Sequence, residues 1–512
     1  MTTYKRFITY LIAFICCLVR LDGAMAGMPV QTDHQQYIFS SDNGDLLAIH
    51  STYASYKDAQ SVPSVDTIAP VLSFAVLDNP ALNDAFINLR YLLEEKQENH
   101  QNITLIFKSE PLNSGAYFRK IYTLSKKEYF MDVSFAIETP DEFSHLYVTR
   151  FQITLHQTGM FSTSPHSDTP EARRAVFIAD KDCFSPTNFA EEFNNVLTKE
   201  TWAGFRDRFF ALLIKPLNDS IKLETSEPAS TDSALLQFSL QPFDDFFFFR
   251  IYAGPIDWYS FGNEKETLSP LLYNHLWFWV RYISFGLFFL LSWLIQITGN
   301  HGLSIILLSL TVKILMLPLV HVSDKWQADV NTKKTLLHPH LKEIKSQYKG
   351  EEQHRRTLAL HKELGIHPMY PLKNFLGLFV QIPIFFAAYH TLGENVSLSG
   401  IPFLWIRDLA EPDQFARLPF HLFYFGEYLN LLPFLMTAIT VVTAFLFQDR
   451  SLSEDLLKKQ QLNLYIMALF FLVLFYTFPA GMVLYWTMNN VLSLVKTLIQ
   501  KSFSGKSRGE TG

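Results

Sequence analysis

Cysteine is nearly missing from this chain, with three in 512 residues. Cys16 and Cys17 lie in the first apolar run, which leaves Cys183 alone and excludes an intramolecular disulfide framework outside that run. Charged residues are scarce at 18%, and the modest net charge of −6 argues against a nucleic-acid target. The chain has no His-Glu-x-x-His, Gly-x-Ser-x-Gly, paired-cysteine motif or phosphate loop, so no catalytic signature points to an enzyme. It also lacks an internal repeat. His338, His340, His361 and His367 have no cysteine or acidic cluster to complete a metal site, and nothing calls for a cofactor.

Apolar residues are plentiful, at 48%, with 47 phenylalanines among them. Their uneven distribution suits a membrane domain joined to a soluble one. Gly302–Val320 is apolar apart from small hydroxyls and Lys313, and is long enough to cross a bilayer core. Further spans are expected at about Asn374–Leu392, Leu429–Phe447, Leu464–Phe478 and Met482–Ile499.

The N-terminus has Lys5 and Arg6, the apolar run Phe7–Val19, and small residues at Ala24 and Ala26. Residues 1–26 therefore read as a signal peptide or as an uncleaved first transmembrane segment, and the shortness of the run favours cleavage. From Gly27 to Pro270 the pattern turns to short alternating strands such as Ile103–Phe107, Tyr117–Leu124, Tyr129–Ile137, Tyr147–Leu155 and Ala234–Leu240. Many half-buried strands predict a β-sandwich, placed outside the cytoplasm by the signal. Asn188–Leu197 and Trp202–Leu213 look helical. The Phe246–Phe249 run reads as a buried strand rather than a ligand-binding edge.

Within Leu271–Thr298 the polar residues Asn274, Arg281, Ser284, Ser292 and Gln296 fall in one arc, as in a helix lying in the membrane surface. Charge settles the topology. The stretch 321–373 carries ten Lys and Arg against two in Gly393–Tyr428, so the first is expected in the cytoplasm. With the β domain outside, only an odd number of crossings fits, which makes Leu271–Thr298 interfacial. Asp324–Tyr348 and Glu351–Leu364 then form a charged helical hairpin, with Gly365 as a C-cap. Residues 500–512 are a cytoplasmic tail.

An ammonium inside a span costs several kcal/mol even on lenient scales (about 2.5–3.5), so Lys313 is the first candidate for function. Ser309 shares its helix face, four residues earlier. Gln381, beside Pro383, and Asn489, four after Tyr485, can supply polar atoms from other spans. Tyr485 and Trp486 sit too far into their span for an aromatic belt. A transporter with Lys313 as its substrate or proton site is the alternative, although the missing repeat argues against it.

Several segments resemble the YidC membrane protein insertases of the YidC/Oxa/Alb superfamily. They are Asn300–Lys313, Pro318-Leu319, Pro371-Leu372, Gln381–Tyr389, Phe403–Leu409 and Phe478–Asn490. Trp202–Phe210 and Tyr252–Pro255 resemble the family's outer domain more loosely. The resemblance implies a polytopic α-helical membrane protein of the Gram-negative inner membrane, with a five-span core and a periplasmic β-sandwich. Its implied function is to insert nascent membrane proteins and help them fold, through a polar groove open to cytoplasm and lipid and closed outside. The implied groove residues are Lys313, Ser309, Gln381, Tyr485, Trp486 and Asn489. Membrane lipids, the Sec translocon and the ribosome are candidate partners, the last two through the 321–373 loop. This sequence departs from the family in having Lys313 where arginine is usual, Tyr485-Trp486 where two tyrosines are usual, and extra residues at Arg417–Glu427. These departures suggest a divergent paralogue.

Overall fold

A computed structural model describes residues 27–51, 70–76, 83, 86, 88–112, 115–138, 151–156, 174–179, 182–184, 196–217, 221–224, 235–240, 246–273, 276–446 and 454–509. The expected signal segment 1–26, the proposed tail beyond 509 and the stretch 188–195 lie outside these residues. The chain forms two compact units, Met1–Asn274 and His275–Gly512.

The first unit is built from two antiparallel sheets. One has the order Gly27–Gln31, Gln35–Ser40, Leu46–Ser51, Leu72–Val76, Phe151–His156, Leu235–Leu240, Ile221–Glu224, Val196–Leu197. The other runs Asp182–Phe184, Arg174–Ala179, Trp202–Arg206, Phe210–Pro216, Phe246–Pro255, Phe130–Glu138, Tyr117–Ser125, Asn102–Ser109, Tyr91–Glu98. Strict alternation drives the strands Asn102–Ser109 and Tyr117–Ser125, where every second residue is buried. The sheets meet through aromatic rings, Phe39 against Tyr122 at 4.8 Å and Phe74 against Phe135 at 5.3 Å.

Trp202–Leu213 is not the expected helix. It is a hairpin of two fully buried strands, Trp202–Arg206 and Phe210–Pro216, turned at Asp207, whose carboxylate accepts from the Phe209 and Phe210 amides. Burial on both faces removes the alternation, so the run reads as continuously apolar. Phe246–Pro255 pairs with a strand on each side and is therefore no edge.

The second unit is helical. Its α-helices are α1 (Phe278–Thr298), α2 (His301–Gln347), α3 (Gly350–Glu363), α4 (Lys373–Gly393), α5 (Leu431–Leu446), α6 (Glu454–Phe475) and α7 (Ala480–Gly509), and between α4 and α5 the strands Ala416–Leu422 and Gly426–Leu429 pair in a short hairpin. Among the described residues, α1 and α2 are long and apolar enough to cross a membrane, and Leu431–Leu446 and Gln461–Phe475 are shorter apolar helices. α1 packs on α4 and α2, α7 on α2, α4 and α5, and α5 on α6.

Two local expectations change. Asp324 does not start a new helix, because α2 runs unbroken from His301 to Gln347 through Pro318 and Pro339. The stripe assigned to α1 is not all solvent-facing. Ser284 is fully buried, bonding to Val280 O and Ala387 O while its own carbonyl accepts from Thr391 Oγ1. The face turned outward holds Trp277, Phe278, Tyr282, Trp293 and Ile297.

Candidate functional site

The site lies along the seam between α2 and α7, and the first requirement is how the two helices start. Gly299 takes a left-handed conformation (φ 62°) that ends α1, and the Asn300 side chain accepts from Leu303 N at 2.9 Å to cap α2. α7 begins after Pro479, with Ala480 N and Gly481 N donating to Glu411 O and Leu409 O of the 394–430 loop at 2.8 and 2.7 Å. That loop closes this end of the bundle. Ile406, Leu409 and Ala410 are buried in it, and Phe403 lies so close to Gly302 that an added Cβ would sit 2.1 Å from the ring. Asp413, also buried, accepts from Leu432 N and Trp405 Nε1, and Asn430 bonds Tyr476. Desolvation raises the Asp413 carboxyl above its ordinary range despite these hydrogen bonds.

Away from the closed end the seam turns polar. Lys313 is half-buried and its Nζ donates to Ser493 Oγ at 2.8 Å, while Ser493 Oγ donates to Asn489 O at 2.9 Å. Its neighbours Ile314 and Leu315 point outward, 55% and 68% exposed, so the charge faces α7 while the apolar side of α2 faces away. Further along, Asp324 Oδ2 of α2 takes a hydrogen bond from Lys496 Nζ of α7 at 2.6 Å.

The residues anticipated from the sequence are only partly brought together. Asn489 is one link from Lys313, through Ser493. Ser309 is fully buried and its hydroxyl donates back to Ile306 O at 2.7 Å. Tyr485 is buried, its carbonyl accepting from Asn489 Nδ2 at 3.2 Å. Trp486 packs edge-on against Phe385 of α4 at 5.1 Å and against Phe475 of α6 at 5.7 Å, which ties three helices. Gln381 is exposed, one helical turn from Phe385, with no hydrogen bond to the described residues. Ser493, Lys496 and Asp324 were missed. The sequence held a signal for the first two, since Tyr485, Asn489, Ser493 and Lys496 are spaced four, four and three apart on one helix face.

The C-terminal half of α2 and α3 form a packed pair. Val330, Leu337, Ile366 and Tyr370 make its core, joined by Leu341, Leu360 and Leu364. His361 is buried here, with Nδ1 on Thr357 O at 2.7 Å and its ring beside Tyr370.

Residues 293–506 match the model of a protein family described as the 60Kd inner membrane protein. A curated relative named membrane protein insertase YidC, from Syntrophobacter fumaroxidans, is 32% identical over 307 residues, covering 58% of this chain and 52% of the relative. This part of the chain is similar to the YidC insertases. A YidC relative from Geobacter metallireducens aligns over 91% of this chain and 80% of its own length at 26% identity. The chain thus spans about half of the first relative and four fifths of the second. The crystal structure of YidC from Thermotoga maritima covers 92% of this chain and 97% of its own, with 16% identity and a TM-score of 0.32. The likeness to YidC rests on the sequence matches and not on that superposition. They give the transporter reading no support.

Proposed function

We propose that this chain is a membrane protein insertase, which receives nascent membrane proteins in the α2–α7 seam and passes their apolar segments into lipid. The observation that carries the reading is a lysine held inside an apolar helix by a hydroxyl of a neighbouring helix. Such a charge is expensive in hydrocarbon and cheaper in a hydrated groove. Lys313 lies twelve residues into its expected span, about 10 Å from the cytoplasmic end at a rise of about 1.5 Å per residue. From there it attracts the acidic outer tail of a client strongly, because the surroundings screen less than bulk water. The 394–430 loop closes the far end. Burial of the client's apolar segment drives release, so the reaction needs no bond chemistry.

The accompanying topology has five crossings, at about 302–320, 374–392, 429–447, 464–478 and 482–499, with the β unit in the periplasm and 321–373 in the cytoplasm. α1 lies in the outer interface, a placement supported by its outward Trp277, Trp279, Tyr282 and Trp293, since such rings favour that layer. The Sec translocon and the ribosome are partners consistent with the packed α2–α3 pair.

Protease protection of a single-span client, at matched protein levels, tests the reading. Lys313→Arg should retain insertion. Lys313→Ala should slow acidic-tailed clients about tenfold, equivalent to about 1.4 kcal/mol. Lys313→Glu should be worse, and equal insertion by Lys313→Glu and the parent would refute the role of the charge.

A further inference from the structure

Past Lys313 the seam holds a second cation with its own counter-ion. Lys496 and Asp324 are joined at 2.6 Å, and their side chains remain 33% and 51% exposed. The contrast with Lys215–Glu264 in the β unit is instructive, because there the side chains are 8% and 14% exposed. An ion pair that open to water contributes little and exchanges readily with another carboxylate. Its place is also particular. Asp324 is eleven residues beyond Lys313 on α2, past Pro318, and Lys496 is three beyond Ser493 on α7. Under the insertase reading above, a chain entering from the cytoplasm meets Lys496 before it meets Lys313. The seam therefore offers two ammonium groups and one carboxylate, a net positive charge, with the carboxylate occupying the outer cation.

We propose that Lys496 is a second binding point for acidic client segments and that Asp324 is a built-in competitor which such a segment displaces. A client carboxylate exchanges with Asp324 at Lys496 and then moves inward to Lys313. A neutral tail leaves the Asp324–Lys496 pair in place. The pair thereby adds discrimination in favour of acidic tails, at a point separate from Lys313.

The two partners should act in opposite directions, which a purely structural brace would not produce. Full-length protein in proteoliposomes is given single-span clients with acidic or neutral outer tails, and initial insertion rates are compared. Lys496→Gln should slow the acidic-tailed client about two- to fivefold, the range expected for one exposed ion pair, and leave the neutral one unchanged. Asp324→Asn should speed the acidic-tailed client by a similar factor. Lys496→Arg should keep the parent's preference. Equal losses in Lys496→Gln and Asp324→Asn, or no change in either, would overturn the proposal. Lys313→Glu run in parallel separates the two readings. If it blocks acidic clients while both pair variants lose activity together, only the role of Lys496 fails. If it has no effect, the groove reading fails too.

Discussion

Replacing Gly302 by alanine tests how the closed end of the helical unit is held. A Cβ at this position would lie 2.1, 2.2 and 2.6 Å from Phe403 Cγ, Cδ2 and Cδ1. Ordinary contact begins near 3.4 Å, so the ring must retreat by more than an ångström. It has little freedom to do so. Phe403 exchanges both backbone hydrogen bonds with Ile406 at 2.9 Å, and Ile406 is 1% exposed. Overpacking of this kind costs about 1–3 kcal/mol. Because the strain falls on the loop rather than on the helix, it should appear as local opening and not as global unfolding. At 1–2 kcal/mol the open population grows about 5- to 30-fold. Hydrogen exchange read by mass spectrometry on full-length protein should therefore quicken by that factor at Ala480 and Gly481, whose amides are bonded to the loop, while α2 beyond Val312 is unchanged. Phe403→Leu added to Gly302→Ala should restore much of the protection. Parent-like exchange in Gly302→Ala alone would refute the picture of a loop keyed against α2.

Two further outcomes concern carboxylates, one buried and one partly buried. The Asp413 carboxyl titrates above its ordinary 3.8 because it is desolvated, so its contribution to stability is greatest below that value and is lost as pH rises through the folded pKa. Asp413→Asn keeps an acceptor for Leu432 N and should remove this loss, and a parent-minus-variant difference in Tm that does not vary with pH would contradict it. In the β unit, Glu264 binds Lys215, Arg250 and Thr267 at once. Glu264→Ala leaves Lys215 buried without its carboxylate and should cost about 3–5 kcal/mol, read from the denaturation midpoint of the β signal in the full-length protein.

Much of the fold was legible because burial on one face imposes a period. The strands Asn102–Ser109 and Tyr117–Ser125 alternate residue by residue, and the structure places them where the alternation does. Trp202–Leu213 was misread because both faces are covered, and period alone does not separate such a strand pair from a helix. The Asp207-Arg208 pair within it was the overlooked turn signal. Lys313 stood out because a charge in an apolar run is costly whatever surrounds it. Its partners did not stand out, since Ser493 is an ordinary helix residue until α7 lies beside α2. Ser284 shows the converse error, as a polar residue on a helical wheel can satisfy itself against Ala387 and Thr391 of a neighbour rather than face water.

The unbroken α2 has a mechanical consequence. At about 1.5 Å per residue, Pro318 stands about 44 Å from the Gln347 end and only about 7 Å from Lys313. A proline removes one backbone bond and lets a helix bend there. Bending at Pro318 makes α2 a lever with unequal arms, geared down roughly sixfold by those lengths. A displacement of several ångströms at the α2–α3 tip then becomes about one ångström at the lysine, enough to make or break a single hydrogen bond to Ser493 without unpacking the closed end.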